Sequence, residues 1–239
     1  MATILNIETS TTVCSVALTS DGQVLEHHEN YDGMQHATLL SAYVRDVLHY
    51  VRTRELKLDA VAVSLGPGSY TGLRIGLSEA KGLAFGMQVP LIGVNTLQLL
   101  TVSAMFAQFY DDDVAFVPMI DARRMEVYTA AYDTALRAIV EPQAMIVDAD
   151  SFHDLLECRQ VVFMGNGSDK VRQVISHKNA VFVPGIKPVA VDMMALAERA
   201  FRQQDFIDVA YSTPLYLKDY QAKVGRNKVL DQAVKQAQQ

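Results

Sequence analysis

Gly66-Pro67-Gly68-Ser69-Tyr70-Thr71-Gly72-Leu73-Arg74-Ile75-Gly76 joins an apolar run, Val61-Ala62-Val63-Ser64, to a segment that otherwise reads as helix. Glycine inside a helix costs about 1 kcal/mol relative to alanine, so a helix that keeps Gly72 and Gly76 uses their missing side chains. Gly66 and Gly68 flank Pro67, where the backbone turns sharply and its amides point outward. A strand, a glycine turn and a helix in succession mark an α/β fold, and such a turn is where many of these folds hold phosphate. Two uses of the turn stay open: close packing of another backbone, or contact with an anion.

Outward from that turn, strands and helices alternate. Alternation and β-branched residues predict strands over Thr3–Glu8, Val13–Leu18 and Gln23–His28, with Asp21-Gly22 as a hairpin turn. Leu40, Val44, Val47, Leu48 and Val51 form the stripe of a helix from Gln35 to Arg54, and Ala60–Ser64 is the next strand. The glycine helix runs to about Gly86, followed by a strand over Leu91–Val94 and a helix from Thr96 to Phe109. After Asp111-Asp112-Asp113 the order starts again, with strands over Val114–Ile120, Met125–Tyr132 and Ile139–Val147 and a helix over Ser151–Glu157. Strand Val161–Met164, the turn Gly165-Asn166-Gly167-Ser168 opening a helix, strand Val181–Val183 and a helix from Val191 to Arg202 complete it. Each half reads βββαβαβα. The repeat predicts a duplicated, two-lobed α/β protein, with an N-terminal lobe over 1–110 and a C-terminal lobe over 111–210. The segment 211–239 either packs on the first lobe or trails as a frayed end, and Val229, Leu230, Ala233, Val234 and Ala237 predict a last amphipathic helix in it. Ligands of such folds sit at strand ends and between lobes.

The motifs narrow the chemistry. The turn lacks the lysine of a P-loop, since Leu73 stands where it is needed, and Thr71 replaces the third glycine of a dinucleotide fingerprint. Gly72, Gly76, Ala80 and Ala84 recur at four-residue steps, a row that lets another backbone approach, within the chain or from a partner. On the preceding helix Leu39, Tyr43 and Tyr50 form a second apolar edge, either half-buried or a partner surface. His27, His28, His36, His49, His153 and His177 show no metal-ligand spacing on a predicted helix. Ser69 lacks the flanking glycines of a nucleophile elbow. Asp121-Ala122-Arg123-Arg124 ends a strand with an acid and two bases, the makings of a phosphate contact or of an internal salt bridge.

Composition sets wide bounds. The 239 residues are half hydrophobic and one-fifth charged, with a net charge of −6, so the chain carries no overall electrostatic footprint for nucleic acid. The expectation is that no leader precedes the first strand; no apolar run has transmembrane length, and Cys14 and Cys158 read as reduced thiols. Cytoplasmic location is the expectation, with no membrane partner.

Four segments stand together: Ile4-Leu5-Asn6-Ile7-Glu8-Thr9-Ser10, the glycine segment, Ala80-Lys81-Gly82-Leu83-Ala84 and Asp121-Ala122-Arg123-Arg124. In combination they resemble the TsaB (YeaZ) family, bacterial subunits of the machinery that installs threonylcarbamoyl on an adenosine beside the tRNA anticodon. The likeness continues through Gly165-Asn166-Gly167 and Pro214-Leu215-Tyr216-Leu217 and weakens in the tail. It implies an actin/hexokinase-like duplicated fold. In the catalytic paralogue, TsaD, the strand after the glycine helix runs into a pair of metal-binding histidines. Here Thr96 and Leu100 hold those positions, and leucine cannot ligate a metal.

The resemblance therefore implies a non-catalytic subunit without a metal site of its own. It would pair with a TsaD-like catalytic subunit, meet a TsaE-like ATPase through the complex, touch tRNA indirectly and form a homodimer when alone. The implied interface draws on Leu39, Tyr43, Tyr50, Gly72, Gly76 and Ala80. Weak ATP or ADP binding would draw on Glu8, Thr9, Ser10, Gly66, Gly68, Asp121 and Arg123. Glu8 stands where the family usually has aspartate, and its longer side chain weakens that expectation. The competing readings are a nucleotide-dependent kinase or ATPase of the same fold, and a metalloprotease, which the missing histidines oppose.

Overall fold

A computed structural model describes residues 2–33 and 35–218. The predicted tail helix around Val229–Ala237 lies outside the described residues. The elements are β1 (Thr3–Glu8), β2 (Cys14–Ser20), β3 (Gln23–Asn30), α1 (His36–Thr53), β4 (Ala60–Gly66), α2 (Tyr70–Met87), β5 (Leu91–Asn95) and α3 (Thr96–Ala107). The second series is β6 (Val114–Asp121), β7 (Glu126–Tyr132), β8 (Ala138–Ile146), α4 (His153–Cys158), β9 (Gln160–Met164), α5 (Ser168–Val171), β10 (Ala180–Val183) and α6 (Met194–Gln203), with a 3-10 turn over Ala190–Met193 leading into α6. Where the sequence predicts bounds, they differ from the observed ones by a few residues at most; the helix predicted after the Gly165 turn is a single short turn, α5.

The two sheets repeat one topology. The first has strand order β3-β2-β1-β4-β5 and the second β10-β9-β6-β7-β8, the same order read from the other edge. Within each, the first three strands pair antiparallel, the fourth joins the first in parallel and the fifth joins the fourth in parallel. This is the duplicated actin-like arrangement.

β1 is buried along its whole length because both faces of its sheet are covered. Leu5 and Ile7 face Leu40, Val44 and Val47 of α1 and Leu77 and Ala80 of α2. Ile4, on the opposite face, packs with Met193, Leu196 and Ala197 from the far end of the chain, and with Leu99 and Val102 of α3. α3 turns its other side, Leu97, Leu100 and Ala104, onto Val114, Phe116 and Val162 of the second sheet. A helix apolar all round is a buried helix, and α3 is one, lying between the sheets. The sheets divide near residue 110, but the helices cross that line: α3 packs on the second sheet and α6 on the first.

Candidate functional site

The ends of β1 and β4 meet where the fourth strand turns into α2. Cβ atoms are missing there for steric reasons. A methyl on Gly68 would lie 2.3 Å from the Ser10 carbonyl oxygen, and one on Gly72 would lie 2.1 Å from that of Thr9. A methyl on Gly76 would sit 2.2 Å from Thr9 Oγ1, and Ala80 is fully buried. The expectation that Gly72, Gly76 and Ala80 form a partner interface is thus corrected: this row faces the chain's own first strand. Thr9 Oγ1 donates to the Gly72 carbonyl at 2.8 Å, which closes the contact.

Two of the turn's amides, those of Ser69 and Gly72, are engaged inside the protein. Ser69 N donates to Ser10 O at 2.6 Å, and Gly72 N to the Ser69 side chain, the N-cap of α2, at 3.2 Å. Ser10 N and Oγ both donate to Glu8 Oε1, each at 2.5 Å, while Thr9 N reaches Ser64 Oγ at 3.4 Å. Glu8 is fully buried; Oε2 has no hydrogen-bond partner among the described residues. Burial pushes its carboxyl up to about 7, against the lowering pull of the Ser10 hydrogen bonds. His36, also buried, holds Thr11 O through Nε2 at 2.8 Å, and its ring is the second group a Gly72 side chain would strike. Sequence reasoning did not single out His36 or Ser64, since neither stands in a motif.

The second repeat builds the same joint. A methyl on Gly165 would lie 2.4 Å from Met119 O and 2.5 Å from Leu100 Cδ2. Gly167 N donates to Met119 O at 3.0 Å. Asp121, at the end of β6, pairs with Lys170, whose ammonium also donates to the carbonyls of Arg124 and Glu126, both at 2.6 Å. Arg123 N returns to Asp121 Oδ1 at 3.2 Å, and Arg123 and Arg124 both adopt left-handed backbone. Asp121 is therefore held in an internal salt bridge that fixes the β6–β7 turn. Lys170 gave no sequence signal because it lies 49 residues away. No group of three or more metal-ligating side chains occurs among the described residues.

The other predicted interface residues lie elsewhere on the first lobe. Leu39, Tyr43 and Tyr50 are half-buried against the α1 core. Tyr43 turns toward β3, its ring stacked on His28 at 5.2 Å between centroids, and Arg54 lies over Tyr50. The residues of α1 that meet α2 are different: Ser41 bonds Glu79 at 3.2 Å, and Ala37 joins Tyr70, Thr71, Arg74 and Ile75 around a shallow groove of about 550 Å³. The outward side of α2 carries Thr71, Ser78, Gly82 and Phe85; space is open at Gly82, and Phe85 is 79% exposed.

Sequence comparison agrees with this geometry. A family described as "TsaD: tRNA N6-adenosine threonylcarbamoyltransferase" matches residues 23–226. The tRNA threonylcarbamoyladenosine biosynthesis protein TsaB of Escherichia coli is 32% identical over 90% of this chain and 94% of its own. The chain belongs to the TsaB family. The Bacillus subtilis TsaB is likewise 32% identical, over 72% of this chain and 75% of its own. YeaZ from Pseudomonas aeruginosa superposes with a TM-score of 0.74 at 28% identity, over 91% of this chain and all of that one. Against that kinship, Leu100 has a definite place: it is buried, and its side chain packs on the Gly165 turn. Thr96 is also buried, at the first turn of α3. No helix among the described residues is long and apolar enough to cross a membrane.

Proposed function

We propose that this chain acts in threonylcarbamoyladenosine biosynthesis on tRNA as a non-catalytic, cytoplasmic subunit that pairs with a TsaD-like catalytic subunit. The observation that carries the reading is Leu100. The position that the family resemblance gives to a metal-binding histidine is an apolar contact in the core between α3 and the second glycine turn. A site filled by packed hydrocarbon offers no electron pair to a cation. The pairing surface is the outer side of α1 and α2, where Gly82 leaves room for a second helix and Phe85 and Ile75 offer apolar contact.

Nucleotide is not required by this chain in the same reading. What supports this is that the amides of Ser10, Ser69 and Gly72 are donated to the protein's own oxygens, so a phosphate would have to displace them. A TsaE-like ATPase and the tRNA would be met through the complex. Co-expression with the catalytic subunit, followed by size-exclusion chromatography at micromolar concentration, tests the pairing. One peak holding both chains is expected; two separate peaks overturn it. Calorimetric titration with ATP and magnesium tests the kinase or ATPase alternative, which submillimolar binding lost on changing Glu8 would favour.

A further inference from the structure

After α6 the chain crosses the first lobe without regular structure and then reaches the second. Ile207 N donates to Leu91 O at 2.8 Å, covering the edge of β5. Lys81 on α2 then donates to the carbonyls of Ala210 and Ser212, at 3.0 and 2.7 Å. Leu215 N donates to Leu65 O at 2.7 Å, and the Leu215 carbonyl lies 2.8 Å from where a side chain on Gly66 would begin. Tyr216 accepts from Arg74 Nε at 3.1 Å, its ring tilted against Tyr70 at 5.3 Å. Lys218 completes the path by pairing with both carboxylate oxygens of Glu126, at 2.7 Å, at the start of β7 in the other lobe.

The segment thus runs along α2 from Lys81 back to Arg74, passes over the end of β4 and ties the two glycine-turn regions together. Its first part is anchored by apolar packing, Ile207 and Val209 against the core of the first lobe and Phe206 against Phe201. From Ala210 to Lys218 it is held by hydrogen bonds, the Lys218–Glu126 ion pair and the Tyr216–Tyr70 ring contact. Tyr211 is 86% exposed, Tyr216 41% and Leu215 38%. Segments with few buried apolar contacts and solvent-exposed hydrogen bonds open at low cost compared with the core. One end is also placed where a neighbour would touch it: Tyr70 and Arg74, which hold Tyr216, line the groove on the outer side of α2.

We propose that residues 210–218 are a releasable strap that couples the outer face of α2 to the junction between the lobes. A protein seated in the α2 groove competes with Tyr216 for Tyr70 and Arg74. Release of Tyr216 frees the segment that carries Lys218 to Glu126 and uncovers the end of β4. The coupling rests on the pairing reading above; the strap's own hold on the lobes does not.

Hydrogen exchange of the full chain tests both parts. In the isolated protein, Tyr216→Ala and Lys218→Ala are each expected to speed exchange of peptides covering 213–218 by about tenfold, the β1 amides staying as slow as before. Unchanged exchange at 213–218 in both variants, with the fold intact by circular dichroism, overturns the strap. Addition of the catalytic subunit is then expected to protect α1 and α2 and to alter exchange at 213–218 together. Protection of the helices with 213–218 unchanged overturns the coupling and leaves the pairing standing. No change at either place overturns the pairing, and the variants alone then decide the strap.

Discussion

Glu8 ends β1 inside the protein, with Ser10 on one carboxylate oxygen and no hydrogen-bond partner on the other among the described residues. Its ionised form is what burial penalises, so the folded state prefers the proton and holds it to about pH 7, against a reference of 4.5. A folded-state pKa raised in this way gives stability that is complete below about pH 4.5 and is lost as pH rises through 7. We predict that the stability of the natural chain, measured against Glu8→Gln by urea unfolding, falls by about 3 kcal/mol between pH 4 and 8. A difference that stays constant over that range would show that Glu8 is ionised in the fold. Gly76 gives a second prediction at this scale. With a Cβ placed 2.2 Å from Thr9 Oγ1, Gly76→Ala is expected to cost about 1–3 kcal/mol in the isolated chain, read from the urea midpoint. A neutral result would mean that α2 sits farther from β1 than described. Both residues stood out in the sequence, yet their use did not. A glycine is equally required by a partner's backbone and by the chain's own, and only the direction of the helix face tells which.

α2 separates those two uses on opposite sides. Gly72, Gly76 and Ala80 point at Thr9 and the core, while Gly82 and Gly86 meet nothing within 4 Å. An open glycine in a helix costs backbone entropy without returning a contact. Gly82→Ala is therefore expected to stabilise the isolated chain by about 0.5–1 kcal/mol, seen as a raised melting temperature. Gly82→Leu should fold as well as the natural chain but lose co-elution with the catalytic subunit, because its side chain fills the space left for a neighbouring helix. Co-elution at the natural level would move the pairing surface off α2. The stripe of α1, Leu40, Val44, Val47 and Val51, was legible because a period of 3.6 with β-branched and leucine side chains has one meaning. The row on α2 was not, because small residues occur all round it and periodicity cannot choose between faces. Leu39, Tyr43 and Tyr50 were legible as an edge of α1, but the edge faces β3 and His28 rather than α2. That direction depends on which strand α1 packs beside, a matter of topology and not of local pattern.

At the scale of the whole molecule, the repeat of element order foretold two sheets of one topology, and turn residues at Gly66 and Gly165 marked equivalent joints. What the repeat concealed is that each half covers the other. α3 packs its second side on β6 and β9, and the C-terminal repeat supplies Met193, Leu196 and Ala197 to the face of β1 that carries Ile4. The apolar pattern of α6 shows that it has a buried side but not whose sheet receives it. This interlocking has a thermodynamic consequence. If each sheet needs a helix from the other half, neither is complete alone, and the chain unfolds as one cooperative unit. Leu196, in α6, tests this, since its buried contacts lie in the first lobe. Leu196→Ala should cost about 2–4 kcal/mol by cavity formation. Near-ultraviolet circular dichroism, which in a chain with ten tyrosines and no tryptophan reports mainly on tyrosine packing, should lose both lobes in the same step as the far-ultraviolet signal. Two separated transitions, with only one shifted by the substitution, would mean that the lobes are thermodynamically independent despite the helices they exchange.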